Sequence, residues 1–159
     1  MPWDQMHMET QSPIVMGSDH AGFALKEFIK TYLTGLHFTI EDCGAFSENS
    51  VDYPDFGMKV AEQVSCGAFA RGILICGTGI GMSMVANRFK NVRAALCNDL
   101  FAAMMSRRHN DANILVMGGR VIGSELAKEI VTVWLNTPFE DGRHRKRIEK
   151  FDAIPAHLI

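Results

Sequence analysis

The sequence predicts an α/β fold, a parallel sheet of five strands covered by helices on both faces. Three observations predict it. Apolar runs of strand length recur along the chain, stretches of helical period lie between them, and the connections joining the two are short. The strands are expected at 14–18 (Ile-Val-Met-Gly-Ser), 37–42, 72–76 (Gly-Ile-Leu-Ile-Cys), 92–97 and 113–117. One helix presents Leu25, Phe28, Ile29, Tyr32 and Leu33, and a second presents Phe56, Val60, Ala61 and Val64. A third helix starts at Ile80, and a long one before Pro138 carries Leu126, Ile130, Val133 and Trp134. A last helix begins near Gly142.

Right-handed crossovers bring every strand end that feeds a helix to one edge of such a sheet, and ligands bind there. The residues expected at that edge are Asp19-His20, Cys76 to Gly81, Asn98-Asp99 and Gly118-Gly119-Arg120. Polar and glycine-rich chemistry therefore gathers on one side.

The chain has 159 residues, 47% hydrophobic and 21% charged, which suits one folded domain over 13–159. Residues 1–12 are polar and Met-rich, lack the apolar stretch of a signal peptide, and read as a loose arm. A net charge of -2 gives no basic field for nucleic acid, and no apolar run approaches the ~20 residues that cross a bilayer. Cys43, Cys66, Cys76 and Cys97 form no Cys-x-x-Cys pair and no zinc spacing. Reduced cytosolic thiols are the expectation, with all but Cys76 in or near the core.

Glycines at 77, 79 and 81 let the backbone turn sharply and bring N–H groups to a bound oxygen. The helix starting at Ile80 adds its dipole, so the loop suits an anion, either a phosphate or an enediolate. A Walker loop is excluded because Gly81 is followed by Met82-Ser83, not Lys-Ser/Thr. A dinucleotide loop has its third glycine one residue later, although Asp99 falls where a ribose ligand would stand. A plain tight turn is the remaining reading. Cys76 closes the apolar strand before the loop, and thiols at helix N-termini serve as bases or nucleophiles. A buried structural thiol at a strand end is the alternative.

Ser18-Asp19-His20-Ala21-Gly22-Phe23, Asp52-Tyr53-Pro54, Ile75-Cys76-Gly77-Thr78-Gly79-Ile80-Gly81, Arg107-Arg108-His109-Asn110-Asp111, Gly119-Arg120-Val121-Ile122-Gly123 and Gly142-Arg143-His144-Arg145-Lys146-Arg147 follow in that order. The series resembles the family of ribose-5-phosphate isomerase B, which also holds allose-6-phosphate and galactose-6-phosphate isomerases. The resemblance runs from about Ile14 to Ile148. It implies a three-layer Rossmann-like fold, a cytoplasmic homodimer or dimer of dimers with active sites at the interface, and neither a metal nor an organic cofactor. It implies a small sugar phosphate as the partner, with no nucleic acid and no membrane. By the same resemblance Cys76 is the base at the sugar's C2, His109 assists ring opening, and Thr78 lies near the ring oxygen. Gly77, Thr78, Gly79, Ile80 and Gly81 form the anion hole. Asp19, His20 and Asn110 contact substrate, Tyr53 borders the pocket, and Arg120, Arg143 and Arg147 hold the phosphate. One branch of the family replaces the cysteine with serine and takes its base from a glutamate in the next helix. Here Cys76 is present and no glutamate occurs between Gly77 and Val92.

The chemistry suits these residue types. Aldose–ketose interconversion moves a proton between adjacent carbons through an enediolate, and each oxyanion donor is worth ~3–4 kcal/mol of barrier. Imidazole exchanges protons near neutral pH, as opening a sugar ring requires. Arginine forks suit a phosphate, and Arg143 and Arg147 stand one helical turn apart. The residues have other readings too: His109 as a helix C-terminal cap, His20 as a cap of the first helix, and Arg120, Arg145 and Lys146 as solvated surface.

Overall fold

The computed structural model describes residues 11–158, and the arm expected over 1–12 falls largely on positions outside them. The described chain alternates strand and helix, as the apolar pattern dictates. β1 (Ile14–Ser18), α1 (Phe23–Gly35), β2 (Ile40–Asp42) and α2 (Tyr53–Ser65) come first. β3 (Arg71–Cys76), α3 (Ile80–Ala86), β4 (Ala94–Leu96), α4 (Leu100–Asn110) and β5 (Ile114–Gly118) follow, then α5 (Ser124–Asn136) and α6 (Arg143–Asp152). All pairings are parallel, in the order β2-β1-β3-β5-β4.

Side chains alternate across the sheet with period two and divide its core between two faces. Ile14, Met16, Ile73, Ile75, Leu115 and Met117 pack beneath α1, α4 and α5, where Ile29, Leu33, Ile130 and Trp134 are fully buried. Val15, Leu74, Cys76, Ile114 and Val116 pack beneath α2 and α3, against Val60, Ala61, Met82 and Ala86. Burying a residue such as Leu74 contributes about 1.5–3 kcal/mol. The three expected layers are present.

The outer strands are shorter than their apolar runs. His37 adopts φ 67, and the amides of His37 and Phe38 turn back to the carbonyls of Thr34 and Leu33. Residues 37–38 thus close α1, and β2 begins only at Ile40. At the other edge Val92 closes a turn onto Phe89, and the Asn87 amide bonds both the N–H and the C=O of Ala94 at 2.9 Å. That side chain takes the place of a neighbouring strand and satisfies the free edge of β4.

Beside β2, Lys26 is fully buried, its Nζ 2.6–2.9 Å from the Asp42 and Glu27 carboxylates. Lys30 bonds the same two carboxylates at 2.7 Å. Asp42 also accepts from the Gly44 N–H at 2.9 Å, which ties the loop after β2 to α1. Burial alone would raise the Asp42 carboxyl, but the two lysines and the Gly44 amide hold it below its ordinary range.

Strand order positions the site. From β1 the chain crosses to β2 on one side, and from β3 it crosses to β4 on the other. The carboxyl ends of β1 and β3 therefore diverge into a crevice, the switch point of an open parallel sheet.

Candidate active site

The crevice between β1 and β3 holds Asp19, His20 and the Cys76–Gly81 loop. Cys76 ends β3 and is 4% exposed. The Gly79 N–H donates to its Sγ from 3.2 Å. This geometry requires Gly79 to sit at φ 81, and a Cβ there would lie 2.4 Å from Leu96 Cδ1. A Cβ on Gly81 would stand 2.6 Å from the Tyr53 ring, so Tyr53 packs directly on the loop. Ile80 N–H bonds the Thr78 hydroxyl at 3.2 Å. Because α3 has only seven residues, the loop's own amides supply more of the local field than the helix dipole does.

Around the thiol, Asp19 is buried, and its Oδ1 accepts from Gly22 N–H at 2.9 Å, which holds the carboxylate at the mouth of α1. His20 Nδ1 accepts from Val51 N–H at 3.2 Å, so the loop after β2 holds the ring. Arg120 is exposed, with its amide bonded to the Gly77 carbonyl, and its side chain lies beside Gly77. The expected gathering of Asp19, His20, the loop and Arg120 at one edge is therefore seen. Asp99 instead accepts from Ala102 N–H at 2.7 Å and caps α4, while Asn98 Oδ1 takes the Gly118 N–H.

The rest of the predicted set lies at the opposite edge. His109 and Asn110 end α4, just ahead of the start of β5, whereas Cys76 is level with the end of β5. Four residues of β5 separate these levels, about 13 Å at ~3.3 Å per residue. Asn110 lines a cavity of about 740 Å³ with Arg88, Arg93 and Phe151, away from the crevice. Glu140 N–H bonds the Arg108 carbonyl at 3.0 Å and leads α6 across this edge. Arg143 and Arg147 lie exposed on α6, and neither forms an ion pair among the described residues. Arg145 pairs with Asp141, as expected of a solvated face.

His109 does not act as a simple helix cap. Its ring stacks on that of buried His144, with centroids 4.2 Å apart and planes 9° from parallel. Glu140 Oε2 lies 3.8 Å from His109 Nε2 and 3.6 Å from His144 Nε2. Burial, then the neighbouring His109 and Arg143, hold His144 below the ordinary imidazole range, against the pull of Glu140. Neither Glu140 nor His144 carried a role in the sequence reading, although their i, i+4 spacing beside a basic helix was a usable signal.

The thiols also differ from expectation in one case. Cys66 is exposed at the end of α2, where the helix runs out over Gly67, rather than in or near the core. Cys97 is buried, and burial pushes its thiol up to about 11, which makes it inert.

Residues 14–151 match the model of a family described as ribose/galactose isomerase. The chain belongs to that family. Ribose-5-phosphate isomerase B of Escherichia coli is 45% identical over 141 residues, 89% of this chain and 95% of that protein. D-erythrulose-4-phosphate isomerase of Pectobacterium atrosepticum is 42% identical over 139 residues, 86% and 91% of the two chains. Among solved structures, ribose-5-phosphate isomerase B of Clostridium thermocellum superposes with a TM-score of 0.90 at 48% identity, over 92% of this chain and 99% of that one. Its counterpart from Thermotoga maritima gives 0.88 at 51%, over 91% and 99%. Likeness at this level extends to the fold as a whole.

Proposed function

We propose that this chain, acting as one catalytic unit over 13–159, is an aldose–ketose isomerase that interconverts D-ribose 5-phosphate and D-ribulose 5-phosphate. The observation that carries the reading is the buried Cys76 thiol at the switch point, with the Gly79 amide aimed at its sulfur. Family membership and the relatives' activities support the substrate class.

In this reading His109 exchanges protons as the ring opens, with Thr78 beside it: the ring oxygen gains a proton as its bond to C1 breaks, and the anomeric hydroxyl gives one up to leave the C1 aldehyde. Cys76 then removes the proton from C2. The negative charge that develops on O1 meets the amides of Gly77 to Gly81 while the hydroxyl proton of O2 passes to O1, and the Cys76 thiol returns its proton to C1 as the C2 carbonyl forms. Asp19, His20 and Asn110 hold the hydroxyls, Tyr53 walls the pocket, and Arg120, Arg143 and Arg147 hold the phosphate at the far end of the sugar.

Two copies are needed. A single chain holds Cys76 at one edge of the sheet and His109, Arg143 and Arg147 at the other, and no side chain bridges about 13 Å. A homodimer, alone or paired again, sets the His109 edge of one copy against the crevice of the next. Exposed Ile80, Met84, Leu100, Phe101 and Val121 follow β3, β4 and β5 and offer apolar surface for such an interface. The proposed location is the cytoplasm, and no helix among the described residues is long and apolar enough to cross a membrane.

The test is turnover of ribose 5-phosphate by the purified chain, followed by solvent deuterium entering the product. Allose 6-phosphate, galactose 6-phosphate and a tetrose 4-phosphate complete the panel, the last because of the Pectobacterium relative. Greatest kcat/KM on ribose 5-phosphate is expected. Preference for another sugar would reassign the substrate, and no turnover on any would remove the isomerase reading.

A further inference from the structure

The corner formed by His109, Glu140 and His144 has a second chemistry. Their ligand atoms all lie within 4.8 Å of one another. At 3.6 and 3.8 Å, the Glu140 oxygen is too far from either imidazole for a hydrogen bond. Ligands of one tetrahedral zinc stand about 3.3 Å apart, given metal–ligand bonds of ~2.0–2.1 Å. Closing the set around an ion takes well under 1 Å at each contact to Glu140, together with a turn of the His109 ring out of its stack on His144 so that the two nitrogens, within 4.8 Å of each other, converge. His109 is partly exposed at the end of α4 and free to make that movement, whereas buried His144 supplies the fixed point.

The carboxylate is already oriented for this. Arg108 Nε lies 3.4 Å from Glu140 Oε1, which leaves Oε2 turned to the two rings. The bond from Glu140 N–H to the Arg108 carbonyl fixes the backbone as well. Two imidazoles and one carboxylate with an outer partner on the carboxylate form a ligand set suited to zinc, with one position open to solvent or substrate.

We propose that His109, Glu140 and His144 form an inhibitory zinc site, in which the ion occupies the imidazole needed for ring opening. The inhibition rests on the isomerase reading, but the binding does not. Zinc removes His109 from proton transfer, so closed-ring ribose 5-phosphate should lose turnover. A tetrose 4-phosphate cannot close a five-membered ring, because its O4 is esterified, and it should be largely spared.

Equilibrium dialysis of zinc against the full-length chain tests the site without activity. One ion per chain is expected, with affinity at least about tenfold weaker in Glu140→Gln and in His144→Asn. Glu140 is exposed, so its variant stays informative if the one at buried His144 fails to fold. Cobalt substituted for zinc should show d–d bands without a thiolate charge-transfer band, which separates this corner from Cys66 and Cys76. Equal zinc affinity in wild type and Glu140→Gln, or a thiolate band, would overturn the site. Equal inhibition of ribose and tetrose phosphates would overturn its action through His109.

Discussion

The two edges of the sheet divide the chemistry between them. At the carboxyl edge, Cys76, Asp19 and Gly79 are buried, and backbone N–H groups hold the Asp19 carboxylate and the Cys76 thiol at strand ends. At the amino edge, His109 ends α4 stacked on His144, and Arg143 and Arg147 lie exposed on α6 with no ion pair among the described residues. The first is preorganised by the fold itself. The second is a set of long or exposed groups that a bound phosphate or a neighbouring copy would order. Proton abstraction demands fixed geometry over a fraction of an ångström, while phosphate capture tolerates adjustment. Under the proposed function, the division places each task where the structure can meet it.

The largest effect expected from breaking one edge is at Cys76. Cys76→Ala should lower kcat by about 10²–10⁴ while sugar-phosphate binding, measured by calorimetry, stays near wild type. Near-normal turnover would mean that the crevice is not where the proton moves. His109→Asn should produce losses of similar order, about 10²–10⁴, on ribose 5-phosphate alone, with the tetrose 4-phosphate much less affected. Equal losses on both sugars would argue that the amino edge does something other than open rings.

Mixing the two inactive variants tests whether the edges meet across copies. Refolded together, Cys76→Ala and His109→Asn chains should regain about a quarter of wild-type activity, since half the dimers are mixed and each mixed dimer has one intact site. No recovery above the parents would place both groups in one chain's site.

A smaller effect is expected from the loop that shapes the crevice. Gly79→Ala forces a Cβ into positive φ and towards Leu96, at a cost of about 1–3 kcal/mol in denaturant unfolding. The amino edge should show no matching change in zinc affinity.

The smallest concerns the support behind His20. Asp42 has a folded-state pKa below its unfolded value, so its contribution to stability is present above about 4 and is lost as pH falls through the folded value. Asp42→Asn should flatten the acid limb of stability against pH, measured by thermal unfolding between pH 5 and 2. An unchanged limb would show that another carboxylate sets acid sensitivity.

Much of this was legible in the chain. Alternating apolar runs determined the parallel sheet, because strand and helix periods are local and burial on both sheet faces leaves a continuous apolar signature. The residues after each strand could be assigned to one edge for the same reason, and Cys76 with its glycines is such a residue. The ends of β2 and β4 were not legible, since turn bonds at His37 and the Asn87 side chain, not hydropathy, decide where pairing starts. Nor was the exposure of Cys66, which depends on where α2 stops. The His109–Glu140–His144 corner depends on contacts across 35 positions, in which α6 folds back over the end of α4, and no local pattern encodes such an approach. By itself the sequence determined the fold class and which candidate groups follow the strand ends, because both are written in residue type and short-range spacing. Only the tertiary structure decided that those groups stand at two opposite edges, since the distance between chain segments is set by packing and strand order rather than by their order in the chain.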